Sequence, residues 1–92
     1  MFSIRLHTFT KVYRKIIVMA SELEKLLKLG KNIQEARKAA GFSQNELAER
    51  LNISREHLAK LETAKRRISL KLLFKMSDIL GVKEKYFLDF KE

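Results

Sequence analysis

The 92-residue chain contains no cysteine, no proline, no tryptophan and only three glycines. Without cysteine there is no disulfide framework, no thiolate nucleophile and no zinc-finger ligand set. The shortage of glycine and proline favours compact helices over disorder or a strand-rich fold. No apolar run approaches the ~20 residues that a membrane span requires. What is present is 46% hydrophobic and 34% charged, and 92 residues are enough for one modest core and too few for two.

Lysine and arginine number 20 against 11 acids, so the formal net charge is +9 and the pI lies near 10.0. An excess of this size points to a polyanionic partner, nucleic acid before anionic membrane, although a generally basic soluble protein would show it equally. Catalysis finds little footing. The chain has no P-loop, no HExxH and no glycine-rich phosphate cradle, and His7 and His57 are far apart in sequence with no triad-like acid or serine partner. No metal or cofactor is expected.

The most informative stretch runs from Ser43 to Glu62. Ser43 followed by Glu46 is a capping box, the reciprocal arrangement that satisfies two orphan amides where a helix begins. Leu47, Ala48 and Leu51 then share one side, and Asn52 suits the left-handed residue that ends a helix. Ile53 plugs the corner, Ser54 caps a second helix, and Leu58 and Leu61 face back inward. Ala48 is small enough to let two steeply crossing helices come close. At about 100° per residue, Glu56, Lys60 and Thr63 point away from Leu58 and Leu61, with Arg55 and His57 on the flanks. Such groups can discriminate base edges in a major groove. A plain solvated face is the alternative, because Glu56 and Lys60 also form a favourable i,i+4 pair.

Elsewhere, Ser21 with Glu24 predicts a helix start at Glu22, and Leu23, Leu26, Leu27, Ile33 and Ala36 recur at helical spacing. Gly30 is expected to divide this stretch into a lead-in turn and a first core helix, Lys31 to Ala40, which Gly41 terminates. Phe42 should anchor in the core. Ser69 caps a fourth helix whose Leu72, Leu73, Met76, Ile79 and Leu80 form a broad stripe that must be buried. Gly81 ends it, and a short last helix carries Tyr86 and Phe87, with Phe90 near its end. Three aromatics so close together are hard to bury in a small domain and suggest a partner surface.

Residues 1 to 20 differ from the rest, with Arg5, Lys11, Arg14 and Lys15, no acid, and many β-branched and aromatic residues. They lack the clean apolar block and small-residue cleavage site of a secretory signal, and match a mitochondrial-type presequence only weakly. A basic arm along DNA is another reading. The preferred one takes Met19 as the true start and the preceding residues as translated upstream sequence. On any of these readings the segment is expected to be poorly ordered, leaving residues 21–92 as the domain.

Gln44, Leu47, Ala48, Ile53, Ser54, Leu58, Lys60, Leu61 and Glu62, with KNIQEARKAAGFS before them and RRISLKLLFKMSDILGV after, resemble the Cro and phage-repressor helix-turn-helix family (XRE-like regulators) over roughly residues 29 to 87. Asn52, Ala64 and Ile68 depart from the family pattern, which has Gly, Gly and Pro more often there. These departures bear on loop geometry more than on fold. The resemblance implies an all-α, compact five-helix lambda-repressor-like domain. It implies a cytoplasmic, sequence-specific transcriptional regulator or repressor, not an enzyme, that binds double-stranded DNA as a homodimer on a palindromic operator. Base readout would fall to Ser54, Arg55, Glu56, His57 and Lys60. Phosphate contacts would fall to Ser43, Gln44 and Thr63 and to the Lys65, Arg66, Arg67 run, for which a solvated charge run is the alternative. Arg37 and Glu62 would form a structural pair, with a surface pair between Glu62 and Arg66 as the alternative. Tyr86, Phe87 and Phe90 are the candidate dimer surface. A reading from a different class is an antitoxin-type protein that neutralises a toxin partner and autoregulates its operon. A weaker third is binding of the first twenty residues to anionic membrane.

Overall fold

The computed structural model describes residues 2–90, with side chains from residue 10 onward. Residues 1, 91 and 92, assigned above to the extension and the domain, lie outside the described residues, as do the side chains of Arg5 and His7. Five helices follow in order: α1 (Phe2–Ala39), α2 (Gln44–Leu51), α3 (Arg55–Glu62), α4 (Leu70–Leu80) and α5 (Glu84–Phe87), with no strand among the described residues. Four of them pack into a small domain on the last third of α1. The rest of α1 projects from it, which is why the radius of gyration is 17.4 Å where a compact chain of this length would have about 12 Å.

Local chemistry sets most of the boundaries. Ser43 accepts from the Glu46 amide while the Glu46 carboxylate accepts from the Ser43 amide, completing the capping box of α2. Ser54 and Ser69 accept in the same way from the amides of His57 and Leu72. Each of α1, α2 and α4 ends on a left-handed residue, Gly41, Asn52 and Gly81. In each case the following amide reaches back to a carbonyl five residues earlier, as Ile53 does to Ala48 at 3.0 Å, the bond that satisfies orphan carbonyls at a helix end. Ala64 also stands at φ +61°, a conformation that costs an L-residue about 1–2 kcal/mol relative to the right-handed region.

The core is a single cluster in which Ile33 and Ala36 of α1 meet Leu47, Ala48 and Leu51 of α2, Leu58 of α3, Leu73, Met76 and Leu80 of α4, and Phe87 of α5. Leu72 and Ile79 of the predicted α4 stripe are only partly buried at its edge, as is Phe42, whose ring lies 4.9 Å below the Arg50 guanidinium. Polar ties close the domain. Asn32 donates to the carbonyls of Phe87 and Asp89, fastening the C-terminal end onto α1, and Lys75 donates to the Leu51 carbonyl at the end of α2.

Two expectations are corrected here. Gly30 does not break α1, which passes through it unbroken. A Cβ at that position would stand 2.5 Å from the Glu62 carbonyl oxygen and 2.8 Å from that of Leu61, so the missing side chain is what lets α1 lie against the end of α3. Ser21 and Glu24 do not start a helix, since α1 is already under way. Ahead of Ser21 the same helix extends back to Phe2, and no glycine or proline interrupts residues 2–29. Leu23 and Leu27, at helical spacing with the core residues, are nevertheless about half exposed, because the domain packs on a different side of α1.

Candidate nucleic-acid interface

The corner between α2 and α3 is built from Asn52, Ile53 and Ser54. Asn52 in the left-handed region turns the chain (φ 57°, ψ 44°), Ile53 is half-buried against the core, and Ser54 restarts the helix. The packing then fixes how α3 is rolled. Leu58 is fully buried, Leu61 and Glu62 are buried, and Arg55, Glu56 and Lys60 are consequently turned outward and exposed. His57 is half-buried on the flank. Its pKa is lowered from the ordinary 6.5, first by partial burial and then by the positive charges of Arg66 and Lys60.

Behind this face lies a buried polar knot. Arg37 of α1 donates through Nε to Glu62 Oε2 at 2.8 Å and through Nη2 to Oε1 at 3.2 Å, and its Nη1 donates to the Phe42 carbonyl at 2.9 Å. Both residues are only 7% exposed, and such a charge is tolerable in the interior only because its partner and hydrogen bonds are in place. The expected pair therefore forms, and Arg66 is not the partner of Glu62. Gln44 Nε2 also donates to Glu62 Oε1 at 3.1 Å, a connection that no sequence signal indicated. The knot joins the N-terminal end of α2, the C-terminal end of α3 and the core side of α1.

The candidate phosphate-contacting residues form two groups around the outward face. Ser43 is exposed at the start of α2, and Gln44 beside it is half-buried with one amide hydrogen committed to Glu62. Thr63 at the end of α3 is exposed, though its hydroxyl donates to the Ala59 carbonyl. Lys65, Arg66 and Arg67 are all exposed, and the amides of Lys65 and Arg66 both bond the Lys60 carbonyl, which folds this basic run back beside α3. Arg67 is turned toward Glu22 of α1, 3.9 Å away. Cationic and amide donors thus flank the outward side of α3 at both ends.

The three aromatics proposed as a dimer surface have separate fates. Phe87 is fully buried and is a corner of the core, with Tyr86 packed edge-on against it at 5.6 Å. Phe90 is half-buried and lies past the end of α5, lining a groove of about 320 Å³ with Leu26, Leu29 and Ile68. Only Tyr86 is exposed, so the three do not make one interaction surface. A four-residue helix offers few inward positions, and the domain needs Phe87 in one of them.

A sequence profile described as Helix-turn-helix matches residues 33–87. Among curated proteins the chain is similar to the HTH-type transcriptional regulator ImmR of Bacillus subtilis (strain 168), with 39% identity over 62 residues that make up 67% of this chain and 49% of that protein. It is also similar to the SPbeta prophage-derived uncharacterized HTH-type transcriptional regulator YonR of the same strain, 37% identical over 59 residues, 64% of this chain and 55% of that one. The chain thus spans about half the length of the curated relatives it matches. Among solved structures it resembles the restriction-modification controller protein C.AhdI from Aeromonas hydrophila, with 29% identity and a TM-score of 0.64 over 67% of this chain and 94% of the other. It also resembles SinR, a master regulator for biofilm formation solved in complex with DNA, with 32% identity and a TM-score of 0.62 over 66% of this chain and 98% of the other.

Proposed function

Since the chain belongs to the Cro/C1-type helix-turn-helix family, we propose that it is a transcriptional regulator that reads a palindromic operator as a homodimer, with α3 in the major groove. The observation that carries this is the roll of α3: burial of Leu58, Leu61 and Glu62 turns a row of long polar side chains into open solvent. Arg55 can bond guanine O6 and N7 in bidentate fashion, Glu56 can accept from cytosine N4, and Lys60 can reach guanine or phosphate. Ser54 and His57 border the same surface. The second amide hydrogen of Gln44, the exposed Ser43 hydroxyl and the first amides of α2 hold one phosphate, where the positive end of the helix dipole favours an anion. Lys65, Arg66 and Arg67, with Thr63, hold phosphates on the other side. One domain of this size touches few base pairs, so two copies about one helical turn apart are needed for useful specificity.

Selection of bound sites from random DNA, followed by titration of single variants, tests this reading. Arg55→Ala and Lys60→Ala are expected to relax base preference, each costing about 1–3 kcal/mol of discrimination at the positions read. Lys65→Ala is expected to weaken all duplexes alike and to shallow the slope of log affinity against log salt by about 0.9. Equal losses on selected and random duplexes for all three variants would remove α3 from the groove.

A further inference from the structure

The family match begins at residue 33, whereas α1 starts at Phe2, so most of this helix lies ahead of the matched domain. At about 100° per residue, Val12, Tyr13, Met19, Leu23 and Leu27 fall within about 60° of Ile16. All six are 51–67% exposed. Gly30 and Arg37 come round to the same side of the helix, and both are buried against the domain. The uncovered stripe therefore ends at Leu27, about 22 Å from Val12 at about 1.5 Å per residue. An apolar band of this length is more than a monomer ordinarily leaves in water.

The other side of the same segment is basic. Lys11, Arg14, Lys15, Lys25 and Lys28 all lie more than about 90° from Ile16, and residues 10–20 contain no acid. The acids come later, and each already faces a cation of the chain: Glu24 stands 3.5 Å from Lys28, and Glu22 stands 3.9 Å from Arg67. Five cations against two acids leave residues 10–28 with a net positive charge. Val18 is the one large apolar residue well inside the polar side.

The occupant of this surface must accept an apolar ridge and carry negative charge beside it. A DNA duplex meets only the second demand, since phosphates and grooves offer little to six apolar side chains in a row. An anionic bilayer meets both, with acyl chains under the ridge and headgroups level with the cations on its flanks. We propose that residues 10–28 of α1 form an interfacial helix that lies in the surface of an anionic bilayer, with Val12, Ile16 and Leu23 turned toward the acyl chains. The helix rests on the bilayer and does not cross it, because no helix among the described residues is long and apolar enough to span one. From Gly30 onward the domain stands partly on the lipid-facing side, so the helix enters at a slant, with Ile16 deeper than Leu27. This docking does not depend on the regulator reading.

Cosedimentation of the full chain with vesicles tests it. Binding is expected to vesicles of phosphatidylglycerol and phosphatidylcholine in equal parts, and not to phosphatidylcholine alone. A basic domain can bind such vesicles through charge, so the apolar variants decide the outcome. Ile16→Ser combined with Leu23→Ser should weaken binding about tenfold or more, while Val18→Ser should stay within about twofold. Lys11→Gln, Arg14→Gln and Lys15→Gln together should weaken it about 100-fold. None of these side chains belongs to the core, so the thermal midpoint of the domain reports whether each variant folds. The chain has no tryptophan, and a single introduced one reports depth. The emission of Ile16→Trp should move to shorter wavelength when the mixed vesicles are added, that of Leu27→Trp less, and that of Val18→Trp not at all. Unchanged binding by the Ile16→Ser and Leu23→Ser chain, a Val18→Trp shift as large as that of Ile16→Trp, or a protein dimer that hides the stripe and ignores vesicles would overturn the proposal. An equal shift at Leu27→Trp would overturn the slant. Vesicle binding by a chain that shows no base preference would uphold the docking and count against the regulator reading alone.

Discussion

The two ends of α1 belong to one helix and both are rich in apolar side chains, but they are held by different things. From Gly30 to Ala39 the helix is fixed by the domain: Ile33 and Ala36 are in the core, Arg37 is clamped to Glu62, and Asn32 holds the chain after α5. Residues 10–20 are exposed throughout. An isolated helical segment is marginal in water, and most helical stability in proteins comes from packing of an apolar face. Periodicity alone therefore specifies a helix with an apolar face, and only the neighbours decide whether that face is core or contact surface.

The largest expected difference between the two ends is electrostatic. Glu62→Ala leaves the Arg37 guanidinium buried without its carboxylate and removes the acceptor of Gln44, and should cost about 3–5 kcal/mol in urea unfolding. Arg14→Ala on the projecting part should fall within about 0.5 kcal/mol of the unsubstituted chain. A comparable loss at Arg14 would mean that the projecting part folds as one unit with the domain. Gly30→Ala comes next. Its new methyl meets backbone carbonyl oxygens that cannot swing aside, so α1 must shift off α3 at a cost of about 1–3 kcal/mol despite alanine's better helix propensity. An unchanged or raised stability would show that the close approach at Gly30 is not needed.

Much of the domain was legible in the sequence because its signals are local. Ser43 with Glu46, Asn52, Ser54, Ser69, Gly41 and Gly81 each act on groups within a few residues, and each sits in the expected cap or turn. The core stripe of α4 follows from periodicity alone, and the Arg37–Glu62 pair came through the family resemblance. The errors arose where a local signal met a distant neighbour. Gly30 reads as a helix breaker until the carbonyls of α3 are placed beside it. Ser21 and Glu24 have the spacing of a capping box, but a cap needs a chain that enters from outside the helix. Phe87 could not be separated from Tyr86 by type or spacing, and burial in the core depended on how a four-residue helix is rolled. For Gln44, its place at the start of α2 was readable, whereas its bond to Glu62, 18 residues away, was not.

The smallest effect separates the two regions by pH. Partial burial, then Arg66 and Lys60, hold the pKa of His57 below the ordinary 6.5. Between that lowered value and 6.5 the unfolded chain binds more protons than the folded one, so stability falls as pH drops through this window and is level above it. Phosphates at the α3 surface act in the other direction. They favour the imidazolium, so DNA binding takes up a proton and its affinity rises as pH falls through the same interval. In His57→Gln both slopes should flatten, the first in denaturant titrations and the second in DNA titrations at fixed salt. The chain carrying Arg14→Ala should retain the stability slope, since His57 and the groups that shift it belong to the domain. Loss of that slope in Arg14→Ala would tie the proton to the projecting part of α1, while a stability slope without a DNA slope would place His57 beyond the reach of phosphate.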